Sequence, residues 1–131
     1  MSQSFEDLEV WKPACRLAVR LHKLLENSRS ACLRDQMQRA AVSIGSNIAK
    51  GCERGGKDFA RFLAISRGSA AELRTQLYIA AQIGIIDATT MRDLVDEAKR
   101  ISKMLFSLGK ALKLRKDIPN TENQTPNTAG K

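Results

Sequence analysis

Residues 36–51 read QMQRAAVSIGSNIAKG, a stretch whose pattern is a helix without the usual solvent-facing side. At about 100° per residue, Met37, Ala40, Ala41, Ile44 and Ile48 fall on one apolar stripe, while Val42, Gly45 and Ala49 make a second stripe of small residues roughly opposite. A helix covered on two sides is sandwiched between its own core and a further partner. The pattern therefore predicts a subunit interface at Val42, Gly45 and Ala49, joined by part of the preceding helix, because small residues permit close helix approach.

Three further helical patterns surround this one. The first runs from about Phe5 or Glu6 to Glu26, with an apolar arc that covers more than half the wheel and a basic strip at Lys12, Arg16, Arg20 and Lys23. The quoted helix stops among the glycines between Gly51 and Gly56. A third helix, which Asp58 can cap, carries a seam of Phe59, Phe62, Leu63, Ser66, Ala70, Leu73, Leu77 and Ala80, and Gly84 ends it. A fourth, capped by Asp87, repeats apolar residues at spacings of three and four from Met91 through Leu94, Ala98, Ile101, Leu105 and Leu108 to Leu112. With loops of roughly three to six residues, these patterns specify an all-α, antiparallel up-and-down four-helix bundle over residues 1–116. Residues 117–131, rich in Asn, Thr and Pro, read as a flexible polar tail.

The chain has 131 residues, enough for one domain with a real core and no need of metals or disulfides. Cys15, Cys32 and Cys52 are odd in number and widely spaced, which fits small apolar fillers in a reducing compartment. The first ten residues, MSQSFEDLEV, lack a signal-peptide core, and the longest apolar-rich run, Leu77 to Ile86, is broken by Gln82 and too short for a bilayer. A soluble, cytoplasmic protein without a membrane association is expected.

Catalytic chemistry finds little footing. Gly51 to Lys57 matches GxxxxGK, but Asp58 occupies the place of the magnesium-binding hydroxyl and the segment follows a helix instead of a strand. His22, with Glu26 one turn later, fits a surface pair better than a catalytic dyad. Asp93, Asp96 and Glu97 have the look of a solvated helix face, so neither a metal nor another cofactor is called for. Ser43, Asn47, Ser69 and Glu72 are expected to form a satisfied buried polar network.

Charge is the better lead. Lys and Arg number 22 against 14 Asp and Glu, a formal net charge of +8. On the fourth helix Arg92, Lys99, Lys103 and Lys110 lie roughly opposite the apolar seam, followed by Lys113, Arg115 and Lys116, and no acidic residue occurs between Lys99 and Lys116. Such a stripe suits a phosphate backbone bound through counterion release. It equally suits a solvated face whose cations complement the helix dipole. Trp11, Phe59 and Phe62 lie on apolar faces, so aromatic residues are not interleaved with the cations, and folded or duplex RNA or DNA is the expected partner in place of a stacked single strand.

FEDLEVWK at Phe5–Lys12, the quoted stretch, FARFLAISRGSAAEL at Phe59–Leu73 and TQL at Thr75–Leu77 together resemble the bacterial four-helix-bundle proteins encoded in 23S rRNA intervening sequences, often called S23 ribosomal proteins. The resemblance spans roughly residues 5–115 and implies a homopentamer without enzymatic activity and with an RNA-related role. It hands down no list of binding residues. The architecture is also similar to the accessory protein of diversity-generating retroelements, which implies as an alternative a protein-interaction subunit for a reverse transcriptase. Two positions depart from the family pattern: Gly45 stands where Pro is usual, and Lys50 stands where Glu is usual.

Overall fold

The computed structural model describes residues 4–117, with side chains through Arg115. A short 3-10 turn at Phe5–Asp7 leads into four helices: α1 (Trp11–Leu25), α2 (Ala31–Arg54), α3 (Gly56–Gln82) and α4 (Ala88–Asp117). Each helix packs on the next in sequence, most extensively α2 on α3, and α1 meets α4 least, so the antiparallel bundle is least closed along that edge. No strand occurs among the described residues. The residues assigned to a polar tail lie outside the described ones, except that α4 continues through Asp117.

The first helix starts later than its apolar pattern suggests. Proline has no N–H and its ring collides with the carbonyl four residues back, so Pro13 is tolerated in a first turn and not in a helix interior. Starting α1 at Trp11 puts Pro13 in that first turn, and Ala14 N–H makes the first bond, to Val10 O, at 3.2 Å. The preceding residues turn instead: Leu8 and Val10 are buried at 6% and 2% exposure, and the Phe5 ring meets Trp11 edge-on with centroids 5.1 Å apart.

The α2–α3 connection is also shorter than expected. Gly55 alone separates the two helices, with φ 68°, and Gly56 follows at φ 57°, both in the left-handed region that favours glycine. Gly51 does not stop α2. It lies within the helix, buried, where α2 closely approaches α3 at Phe59 and Phe62. Asp58 sits in the first turn of α3 and is not its cap; its carboxylate pairs with Arg54 at 3.3 Å and Arg61 at 3.6 Å. Both guanidiniums also lie over the Phe62 ring, at 5.2 and 4.8 Å from its centroid.

The core follows the predicted seams. Met37, Ala40, Ala41, Ile44 and Ile48 of α2 are all buried, as are Leu63, Ala70, Leu73, Leu77 and Ala80 of α3 and Leu94, Ala98, Ile101 and Leu105 of α4. Val95 and Gln76 join the buried set. Ser43, Asn47 and Ser69 form a network that is half-buried where a buried one was expected: the two serine hydroxyls are 2.9 Å apart, and Asn47 Nδ2 donates to Ser43 O at 2.8 Å and to Ser43 Oγ at 2.9 Å. Glu72 is exposed and takes no part. Ser66, which the sequence pattern places on the α3 seam, is fully buried and stands apart from that network, donating from Oγ to Ile44 O at 2.8 Å. Ser66→Ala is expected to cost about 1 kcal/mol, read as a lower urea midpoint with an unchanged slope.

Asp87 caps α4 as predicted, accepting from Thr90 N–H at 2.7 Å, and that backbone bond is the largest cause holding its carboxyl below the ordinary range. A depressed folded-state pKa stabilises above the unfolded value and ceases to do so as pH falls through the folded one. Asp87→Ala is therefore expected to lower the thermal midpoint at neutral pH, with the gap to the parent protein closing in acid.

Candidate nucleic-acid interface

The predicted cations are largely where a polyanion could reach them. Lys12, Arg16 and Lys23 of α1 are exposed, as are Arg92, Lys99, Lys103, Lys110, Lys113 and Arg115 of α4; the Lys116 side chain lies outside those described. Helical geometry accounts for this. Each of these positions falls away from the buried seam of its helix, and long cationic side chains on that side remain in water.

The two basic strips do not merge into one face. Arg16, Arg20 and Lys23 line an open shelf of about 560 Å³ between α1 and α4, together with Glu97. Arg20 Nη1 stands 2.7 Å from Glu97 Oε1, so its charge is already met within the chain. Three of the α4 cations line two separate grooves. Lys103 shares one with Asp7 and Glu9 of the N-terminal segment, whereas Lys110 and Lys113 line another, against α3, with Arg67. Arg92 turns back toward the first turn of α4, its Nη2 3.5 Å from Thr89 Oγ1.

One aromatic residue does stand among these cations. Phe106 is 54% exposed, and the Arg67 guanidinium lies 5.1 Å from its ring centroid. The expectation that aromatic residues are absent from the basic stripe is thus corrected. Phe106 follows Lys103 by three positions and precedes Lys110 by four, off the Leu94–Leu105 seam, and a helical wheel of α4 alone carries that signal.

The small-residue stripe of α2 lines an apolar groove of about 420 Å³ against α1, where Val42, Gly45 and Ala49 meet Trp11, Ala18 and Val19. Val42 and Val19 are 56% and 54% exposed. Gly45 is buried; a Cβ there would lie 3.6 Å from Cys15 Sγ and 3.9 Å from Ala14 Cβ, both in α1 of the same chain. An alanine would sit there in ordinary contact while a larger side chain would press on α1, and the groove surface open to a neighbour includes Val42, Ala49 and Val19.

The GxxxxGK match is the end of α2 and a tight corner, with Asp58 engaged by arginines, and not a phosphate loop. His22 and Glu26 are exposed and no hydrogen bond joins them. Burial pushes the Cys15 thiol up; burial, then Glu53 and Glu6, do the same for Cys52, the opposite of an activated nucleophile. Among the described residues no three His, Cys, Asp or Glu side chains are grouped to hold a metal ion, and no helix is long and apolar enough to cross a membrane.

With four helices in this order, the chain matches the family described as 23S rRNA-intervening sequence protein over residues 6–107. The chain belongs to that family. The match covers the N-terminal turn, α1 to α3 and most of α4, and it ends before Lys110, Lys113 and Arg115. The crystal structure of a protein of unknown function from the S23 ribosomal protein family of Bacteroides thetaiotaomicron VPI-5482 is similar, with a TM-score of 0.72 and 25% identity over 77% of this chain and 98% of that one. A search of the curated proteins returns no match. The α2 helix runs through Gly45 without interruption, and Lys50 is exposed.

Proposed function

We propose that this member of the 23S rRNA-intervening sequence protein family is a non-enzymatic homopentamer that holds structured RNA or DNA by phosphate contacts on its basic helix faces. The observation that carries the reading is the outer side of α4, where Lys99, Lys103, Lys110, Lys113 and Arg115 are all exposed and no carboxylate occurs from Lys99 to Lys116. Lys12, Arg16 and Lys23 of α1 add to it. The rRNA link in the family's description supports RNA over DNA. A ring needs two unlike surfaces on each subunit, and the α1–α2 groove with Val42 and Ala49 supplies one of apolar character.

Binding by counterion release weakens linearly in log–log form as salt rises, by about 0.9 per phosphate neutralised on a duplex. Titrating a labelled structured RNA with the protein from low to high salt is expected to give a slope steeper than about −4. A flat response overturns the nucleic-acid reading, and a monomer in sedimentation analysis overturns the pentamer.

A further inference from the structure

The groove between α3 and α4 has a character that phosphate binding leaves unused. Its volume is about 460 Å³, and Leu63 and Leu105, almost fully buried at 1% and 0% exposure, form its floor. Phe106 and Leu114 stand at its lip, 54% and 55% exposed. Arg67, Lys110 and Lys113 rim it, and among the described residues none of the three pairs with a carboxylate. Neither wall offers one: residues 59–71 of α3 and 98–116 of α4 contain no Asp or Glu.

We propose that this groove is a docking site for an acidic amphipathic helix of a partner protein. An apolar floor with three cations at its edge is complementary to a helix that presents Leu or Phe on one side and Asp or Glu beside it. From Leu105 to Leu114 the α4 wall rises about 14 Å, enough for two to three turns of a docked helix and its anchors at helical spacing. Gly109 leaves the middle of this wall open, since a Cβ there would lie 4.0 Å from Leu63 Cδ1. A nucleic acid would use the rim cations and one aromatic ring but gain nothing from Leu63, Leu105 and Leu114. The inference goes beyond the proposed nucleic-acid function and does not depend on it, because its test leaves every charge in place.

The probe is a fluorescein-labelled peptide of about 18 residues, Leu at spacings of three and four and Glu, Gln and Ala elsewhere, beside a shuffled peptide of equal composition. The full chain is expected to bind the ordered peptide at least about tenfold more tightly than the shuffled one. Phe106→Ser with Leu114→Ser should remove that preference, because these two side chains form the apolar lip of the groove. Both side chains are half exposed, so the bundle survives. Gly109→Leu, which fills the groove with a better helix former, should block the peptide equally. Equal binding of both peptides overturns the proposal, as does peptide binding that persists in both variants. Loss of RNA binding in the serine variant would assign the groove to a stacked base, and a changed sedimentation coefficient for Gly109→Leu would assign it to a second copy of the chain; either result overturns it.

Discussion

Gly51→Ala is expected to destabilise the protein by about 2 to 3 kcal/mol, although alanine is the better helix former by about 1 kcal/mol. The added Cβ would stand 2.7 Å from Phe62 Cβ and 3.2 Å from Phe59 O. Neither atom is the free end of a flexible side chain, so the clash is relieved only by moving α2 and α3 apart along the most extensive contact in the bundle. Rotating the Phe62 side chain gives no relief, because its Cβ is fixed to the backbone of α3. Two other helical glycines give the controls. Gly68 has nothing within 4 Å of its Cβ position, so Gly68→Ala should stabilise by roughly 0.5 to 1 kcal/mol through helix propensity. Gly45→Ala meets only ordinary contacts at 3.6 to 3.9 Å and should be mildly stabilising, whereas Gly45→Leu would wedge α1 from α2 and destabilise. Urea denaturation of the four variants checks the order. A Gly51→Ala protein as stable as Gly68→Ala would refute the close α2–α3 approach.

The contrast among these glycines marks what a sequence can and cannot disclose. Met37, Ile44 and Ile48, or Leu94, Ile101 and Leu105, are legible because burial follows from the helical period and side-chain volume, which a single segment carries in full. The α2–α3 corner and the closeness at Gly51 depend on how two helices meet, and a wheel drawn for one helix is blind to that. The start of α1 was encoded locally, in Pro13, but its apolar neighbours Leu8 and Val10 carried the helical pattern across the break because they are buried in the turn as well. The candidate site divides in the same way. Exposure of Lys99, Lys110 or Lys12 follows from their own helices. The pairing of Arg20 with Glu97, and the separation of Lys103 from Lys110 into different grooves, belong to packing between distant segments.

That separation orders the effects of charge removal on RNA affinity. Replacing Lys99, Lys103 and Lys110 together by Ala is expected to weaken binding of a structured RNA about a hundredfold near physiological salt and to flatten the log–log salt slope by about 2 to 3, the amount three lost phosphate contacts predict. Lys103 should contribute least of the three, because Asp7 and Glu9 share its groove and partly offset its charge there. Arg20→Ala should change affinity little, since its guanidinium is held 2.7 Å from Glu97 and a phosphate would have to displace that carboxylate. Glu97→Gln should do the reverse: it removes a repulsive charge from the shelf of Arg16, Arg20 and Lys23, frees Arg20, and steepens the salt slope by about one. All these side chains except Glu97 are exposed, and circular dichroism should show the bundle intact throughout. If Arg20→Ala weakens binding as much as the triple replacement, the interface centres on the α1–α4 shelf; if no variant changes the slope, the phosphate-binding reading fails for both faces.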